Sequence, residues 1–254
     1  MSKKEEKIRE FRCEFHIHTV LSPCASVEMI PPLIIQTAEE KGINLVAVTD
    51  HNAIANIRPV MEAARGSEIA VLPGLELQTR EEIHSVCLFD SFEKITNFFS
   101  FILLNFPDIE NNAEYFGEQF VVDKNGVFIK RESRLLITSC SLSLTEAWNI
   151  VNDYGGMLIP AHVNRFAFGL IPVLGFIPSD IQPEALEISR HLTVDKAIIN
   201  FPQLRDFPLI RSGDAHMLDE ICGFNIFRIA APTIKEIRMA LQNIEGRSFL
   251  VSSE

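Results

Sequence analysis

Six of the seven histidines in this sequence fall, with several carboxylates, into a series that could hold metal ions. The series opens with His16-Ile17-His18, continues through Asp50-His51, Glu76, His84 and His162, and closes with Asp214-Ala215-His216. Imidazole and carboxylate bind Zn, Mn or Fe while leaving coordination positions for water and substrate. A lone His near a strand end is ordinarily a hydrogen-bonded structural residue. An ordered series of six is expected to be a multinuclear centre, and the chemistry it predicts is hydrolysis.

The elements around these residues explain how they would meet. Val46-Ala47-Val48-Thr49 leads into Asp50-His51, and Val71-Leu72-Pro73-Gly74-Leu75 leads into Glu76. Leu158-Ile159-Pro160-Ala161 leads into His162, and Leu209-Ile210-Arg211-Ser212-Gly213 into Asp214. In an α/β barrel the carboxyl ends of the strands converge on one rim, where residues distant in sequence assemble. Two residues apart on an extended strand, His16 and His18 face the same way, as do Asp214 and His216.

Short apolar runs alternate with amphipathic stretches along the chain. Strands are expected at 13–17, 45–49, 70–77, 85–89, 157–161, 185–188, 209–212 and 249–251. Pro73-Gly74 should bend the third of these. Helices are expected from Pro31-Pro32 to a stop at Gly42, and over 54–65, 92–104, 144–154 and 234–244. Repeated βα units favour a parallel sheet. The rhythm breaks at about 91–134, where Asp123-Lys124-Asn125-Gly126 between apolar runs signals a hairpin. This stretch is expected to be an insertion or lid within a single domain spanning 1–254.

Taken together, His16-X-His18, Thr49-Asp50-His51-Asn52, Pro73-Gly74-Leu75-Glu76, Ala161-His162 and Gly213-Asp214-Ala215-His216 resemble the PHP (polymerase and histidinol phosphatase) family over about residues 12–220. The resemblance implies an α/β fold, a distorted (β/α)7 barrel, and two or three divalent metal ions that serve phosphoester cleavage. It places His16, His18, Glu76 and Asp214 on one ion, and Glu76, His84 and His162 on a second, with Glu76 bridging. His51 and His216 fall to a third. Family members often carry Asp or His five residues after the second His of the opening motif, where this chain has Pro23. Pro23 cannot bind a metal, so the third site is weak, or water, substrate or Cys24 completes it. Paired cations would acidify a water for in-line attack on phosphorus. Arg165 is the expected phosphate clamp, since a guanidinium pairs with phosphate through two hydrogen bonds. His51 or His216 could protonate the leaving oxygen. Asp50 is expected to orient a ligating His rather than to bind metal.

Other residues invite blander readings. His191 lies outside the pattern, and Arg190 could face the site or be solvated. Glu81 and Glu82 read as a solvated turn. Cys13, Cys87, Cys140 and Cys222 read as small hydrophobes, and the Phe-rich stretch at 92–106 as core.

Bulk properties bound the rest. The chain has 254 residues, 47% of them hydrophobic and 22% charged, enough for a sizeable core. A net charge of −11 disfavours long nucleic acid, whose binding depends on neutralising phosphates. Bound cations would still admit a small phosphorylated substrate. Five scattered cysteines suggest a reducing compartment, and the charged N-terminus has no apolar signal core. A cytoplasmic protein without a membrane partner is expected. The expected activity is hydrolysis of a small phosphomonoester or nucleotide phosphoester. Hydrolysis of a non-phosphate ester or amide, or a non-catalytic metal-binding module, are the alternatives.

Overall fold

The computed structural model describes residues 7–252; the first residues of the charged N-terminal run lie outside them. The strands are β1 (Arg9–Ile17), β2 (Leu45–Val48), β3 (Ala70–Gln78), β4 (His84–Leu88), β5 (Phe120–Val122), β6 (Phe128–Arg131), β7 (Met157–Pro160), β8 (Leu186–Ser189), β9 (Leu209–Ser212), β10 (Asn225–Ile229) and β11 (Ser248–Val251). The helices are α1 (Pro31–Glu40), α2 (Ile57–Ala63), α3 (Phe92–Ile102), α4 (Ala113–Phe116), α5 (Leu144–Asp153), α6 (Leu170–Leu174), α7 (Val194–Asn200) and α8 (Ile234–Leu241).

One sheet runs in the order β11-β10-β1-β2-β3-β4-β7, and β8 pairs with β9 in a second. Short links join the two. Val163 N donates to Glu187 O at 2.8 Å beyond β7, while Ala215 N donates to His16 O and His18 N to Ala215 O, both at 2.9 Å. Strands β1, β2, β3, β4, β7, β8 and β9 thus curl into a distorted barrel, with β10 and β11 extending it beside β1.

The sheet is not wholly parallel. β4 runs antiparallel to both β3 and β7. Residues 79–83 alone join β3 to β4, too few for the crossover that a parallel pair requires. Pro73-Gly74, the expected bend, lies within β3 where the strand changes partner. β3 pairs with β2 as far as Pro73 and with β4 from Gly74 onward. A Cβ on Gly74 would lie 2.9 Å from both Leu88 Cδ2 and Thr49 Cγ2, so glycine permits this close changeover.

Period-2 alternation divides the apolar residues between two clusters. Leu45 and Ala47 pack with Phe11, Phe15 and Phe227, while Val46 and Val48 pack with Ile34 and Ala38 of α1. α8 closes the first cluster with Ile234, Ile237 and Leu241.

The segment at 91–134 contributes α3, α4 and the β5–β6 hairpin, with Asp123 Oδ1 accepting from Asn125 N and Val127 N at 2.8 and 2.9 Å. Its Phe98 is fully buried against Phe89, whereas Phe101 is exposed. Two asparagines tie neighbouring loops to the barrel rim. Asn56 Nδ2 donates to Phe120 O at 3.0 Å, and its Oδ1 accepts from Val122 N at 3.0 Å. Asn52 Nδ2 donates to Leu136 O and Thr138 O at 2.7 and 2.8 Å. α2 starts at Ile57, three residues after the expected start at 54. Among the described residues no helix is long and apolar enough to cross a membrane.

Candidate metal centre

The histidine and carboxylate series gathers on one rim, with Glu76 at its middle. Glu76 is fully buried at the far half of β3, and its carboxylate lies within ion-pair reach of five imidazoles. Oε1 is 3.2 Å from His16 Nε2, 2.9 Å from His84 Nδ1 and 3.1 Å from His162 Nε2. Oε2 is 2.7 Å from His51 Nδ1 and 3.5 Å from His18 Nε2.

Backbone pairing delivers the partners. Glu76 N donates to Asp50 O and Asn52 N to Glu76 O, which sets His51 beside it. The extensions of β1 and β9 pair through Ala215, which brings Asp214 Oδ1 to 3.3 Å from both His16 Nε2 and His18 Nε2. His162 and Asp214 adopt φ of 29° and 48°, in the left-handed region that non-glycine residues rarely occupy. Such backbone is retained where its surroundings over-determine it, as at a preorganised site.

Neighbouring oxygens orient the rings. His16 Nδ1 donates to Glu187 Oε1 at 2.9 Å, and the same oxygen accepts from His162 N at 3.1 Å. His18 Nδ1 donates to Ser22 Oγ at 2.9 Å, and Ser22 Oγ donates to Asp50 Oδ1 at 2.8 Å. Asp50 therefore acts on His18 through Ser22; its own oxygens also accept from Thr19 N and Oγ1 at 2.7 and 2.8 Å. With Nδ1 protonated, His16 and His18 each turn an Nε2 lone pair inward, and neither Nε2 has a hydrogen-bond partner among the described residues. Glu76 Oε2 is likewise without one. Buried polar atoms rarely stay unpaired, and this set has the chemistry that a divalent cation would satisfy. Among the described residues, three groups of ligand atoms lie within 4.8 Å of one another: His16, His18, Glu76 and Asp214; His51, Glu76 and His84; and His18, His51 and His216.

Crowding sets the charge states. Burial alone would raise Glu76, but His84, His16 and His51 hold it well below the usual carboxylate range. Burial likewise works to raise Asp214, and His16 above all brings it down. His51 is pushed up to about 10 against burial by Glu76, whereas burial and the charges of His216 and His51 depress His18. The imidazoles thus share too few anions for all of them to be protonated.

A pocket of about 300 Å³ opens over the cluster, lined by Cys24, His51, Gln78, His84, Ile137, Arg165, Phe168, Asp214 and His216. A second, of about 360 Å³, adjoins it through Arg165, Asp214 and His216 and adds Arg190, His191 and Glu220. Arg165 pairs with Asp214 and is half-exposed at the junction. Arg190 binds Gly213 O and reaches Glu220 Oε1 at 2.5 Å, so it braces the loop that carries Asp214. His191 is exposed yet lines this second pocket. Pro23 contributes no donor, while Cys24 Sγ lies 3.1 Å from His216 Nε2. Glu81 Oε2 accepts from Leu144 N at 3.0 Å, and so supports the start of α5.

The sequence reading misses several participants. Glu187 and Glu14 are fully buried carboxylates inside apolar strands, and that polarity within Leu186-Glu187-Ile188 and Cys13-Glu14-Phe15 was an available signal. Glu14 accepts from Gly213, Cys222 and Gly223 N, each at 3.1 Å, and fixes the turn before Asp214. Phe168 stacks on His84 at 4.4 Å between ring centroids and 8° between planes, a contact no local pattern announces.

Known proteins resemble this chain in sequence pattern and fold. The PHP domain matches over residues 14–149, and no curated protein matches. The lesion-specific endonuclease Q of Pyrococcus furiosus superposes with a TM-score of 0.74 at 18% identity, over 95% of this chain and 58% of that one. A complex of endonuclease Q with a 27-mer duplex carrying an abasic lesion at the active site gives 0.73 at 19% identity, with 95% and 58% covered. The chain thus spans well under two thirds of the endonuclease. A protein assigned as a metal-dependent phosphoesterase of Bifidobacterium adolescentis gives 0.53 at 18% identity, with 81% and 87% covered. With its motif series, its barrel and a match over more than half its length, the chain belongs to the PHP domain family.

Proposed function

We propose that this chain, a metal-dependent hydrolase of phosphoester bonds, acts on a small phosphomonoester or nucleotide phosphoester. The observation that carries the reading is Glu76, one buried carboxylate faced by five imidazoles beneath a pocket bordered by Arg165.

In this reading His16, His18, Glu76 and Asp214 hold one divalent ion, Glu76, His84 and His162 a second, and His51 and His216 a third. Zn, Mn and Fe(II) all suit such mixed donors. Bound cations supply a water acidified towards neutrality and positive charge opposite the phosphoryl oxygens. Glu187 and the Asp50–Ser22 pair keep the His16 and His18 lone pairs aimed inward. Arg165 is freed from Asp214 once that carboxylate is engaged, and its guanidinium then binds a phosphoryl oxygen pair. His216, at the pocket wall, or His51 would deliver a proton to the leaving oxygen only when it is not committed to the third ion. The segment at 91–134 serves as an insertion over one end of a single domain. The unpaired thiols suit the cytoplasm.

The likeness to endonuclease Q over 95% of the chain favours a damaged or terminal nucleotide in DNA as a second reading. A net charge of −11 weighs against extended duplex binding. Phosphate or nucleotide release from aryl phosphates, nucleoside monophosphates and an abasic duplex, beside an aryl amide and a lactone, tests both. Turnover of the monoesters with added Zn, Mn or Fe is expected. Turnover of the amide or lactone alone, or metal binding without any turnover, would overturn the proposal.

A further inference from the structure

We propose that Cys24 is a thiolate ligand to the divalent cation held by His51 and His216. The proposal rests on the reading of this rim as a metal centre and adds a donor of a different kind to it.

The geometry begins with the loop after β1. Ser22 N donates to Thr19 O, Ala25 N to Ser22 O and Met29 N to Ser26 O, each at 3.0 Å, so residues 19–29 form consecutive tight turns. Ser26 N donates to His216 O at 2.8 Å and fastens those turns to the opposite side of the rim. Cys24 is thereby set against the His216 ring rather than in solvent at large, although its side chain remains accessible from the pocket.

His216 faces it with a lone pair. Its Nδ1 donates to the Asp214 carbonyl at 2.8 Å, which leaves Nε2 unprotonated and 3.1 Å from Cys24 Sγ. A tetrahedral zinc with bonds near 2.3 Å to sulfur and 2.0–2.1 Å to nitrogen separates those two atoms by roughly 3.6 Å. The observed separation needs only a few tenths of an ångström of opening to admit the ion. His51 lines the same pocket wall.

A second observation points to a ligand there independently of the cysteine. His51 and His216 belong, with the fully buried His18, to one group of ligand atoms within 4.8 Å of one another, and His18 turns its lone pair to the neighbouring ion. A cation in this group would meet imidazoles on one side and Cys24 on the other. Binding replaces the thiol proton, which passes to solvent, with the metal; no oxidation state changes. A thiolate makes this subsite the softest of the centre, and so favours Zn over Mn.

Cobalt(II) titration of the metal-free full-length chain tests this, with Cys24→Ser as the comparison. Cys24 is exposed, and the serine keeps its size and a weak donor, so the variant folds. The natural chain is expected to develop visible ligand-field bands and also a near-ultraviolet sulfur-to-cobalt charge-transfer band. Cys24→Ser should keep the former and lose the latter, with one cobalt equivalent bound at least about tenfold more weakly. Ligand-field bands without charge transfer in the natural chain would overturn the thiolate ligand while leaving the metal centre standing. Charge transfer that persists in Cys24→Ser would assign the sulfur to another cysteine and also overturn it. No cobalt spectrum at all would overturn the metal centre and this proposal together.

Discussion

Glu187→Gln separates the chemistry of the rim from the integrity of the fold. Glu187 Oε1 accepts from His16 Nδ1 at 2.9 Å and from His162 N at 3.1 Å, while its Oε2 has no hydrogen-bond partner among the described residues. A glutamine can place its carbonyl where Oε1 lies and its amide nitrogen in the unpartnered position, so both contacts survive. What disappears is the negative charge behind His16. Against the opposing effect of burial, that charge is the leading influence that holds His16 well above the ordinary histidine range. Removing a partner of this kind weakens metal binding by about 10- to 100-fold, or about 1.4–2.7 kcal/mol. The assay is competitive Zn(II) titration with a chromophoric chelator, beside thermal unfolding of the metal-free protein. The expected result is a weaker first equivalent with a melting temperature within a few degrees of the natural one. Unchanged affinity in a folded variant would refute the argument that Glu187 tunes the His16 lone pair.

Other substitutions probe separate parts of the account. His162→Ala should abolish phosphatase turnover while circular dichroism and melting stay near normal; near-normal activity would remove His162 from the centre. Arg165→Ala should raise KM for an aryl phosphate by about tenfold or more with the metal content unchanged, since one charged hydrogen-bonding partner contributes about 1.5–3 kcal/mol. Glu14→Gln should lower stability by about 2 kcal/mol in urea unfolding, because whichever way the amide turns, its NH2 faces backbone N–H groups of Gly213 or of Cys222 and Gly223. Glu236→Gln breaks a pair far from the rim, where Arg247 Nε and Nη2 reach the carboxylate at 3.0 and 2.9 Å. The hydrogen bond from Arg247 holds Glu236 below its usual range, so the pair's stabilisation is present above about pH 4.5 and is lost as pH falls through the lowered value. The variant should be about 3 kcal/mol less stable at pH 7, with the deficit shrinking in acid and metal binding untouched.

Much of this rim was legible because barrel strands deliver their carboxyl ends to one place. His16, His18, Asp50, His51, Glu76, His162, Asp214 and His216 stand out as polar residues that end apolar runs, and a single architecture brings such ends together. His84 instead opens β4, whose antiparallel course brings its amino end to the same rim. The hairpin at Asp123–Gly126 was equally plain, since its turn residues act locally. The direction of β4 was legible too, since the short link at 79–83 leaves no room for the crossover of a parallel pair. Ser22 and Phe168 were not, for their roles arise from contacts across the barrel and not from any spacing. Glu14 and Glu187 lie between these extremes. A carboxylate inside a buried strand calls for partners, and that demand alone could have marked both.

Anomalous diffraction from crystals grown with Zn(II) would show whether cations gather at this rim. Peaks are expected beside Glu76, one of them flanked by His16, His18 and Asp214. A well-ordered map with no anomalous density among these side chains, from protein exposed to excess ion, would contradict the metal centre.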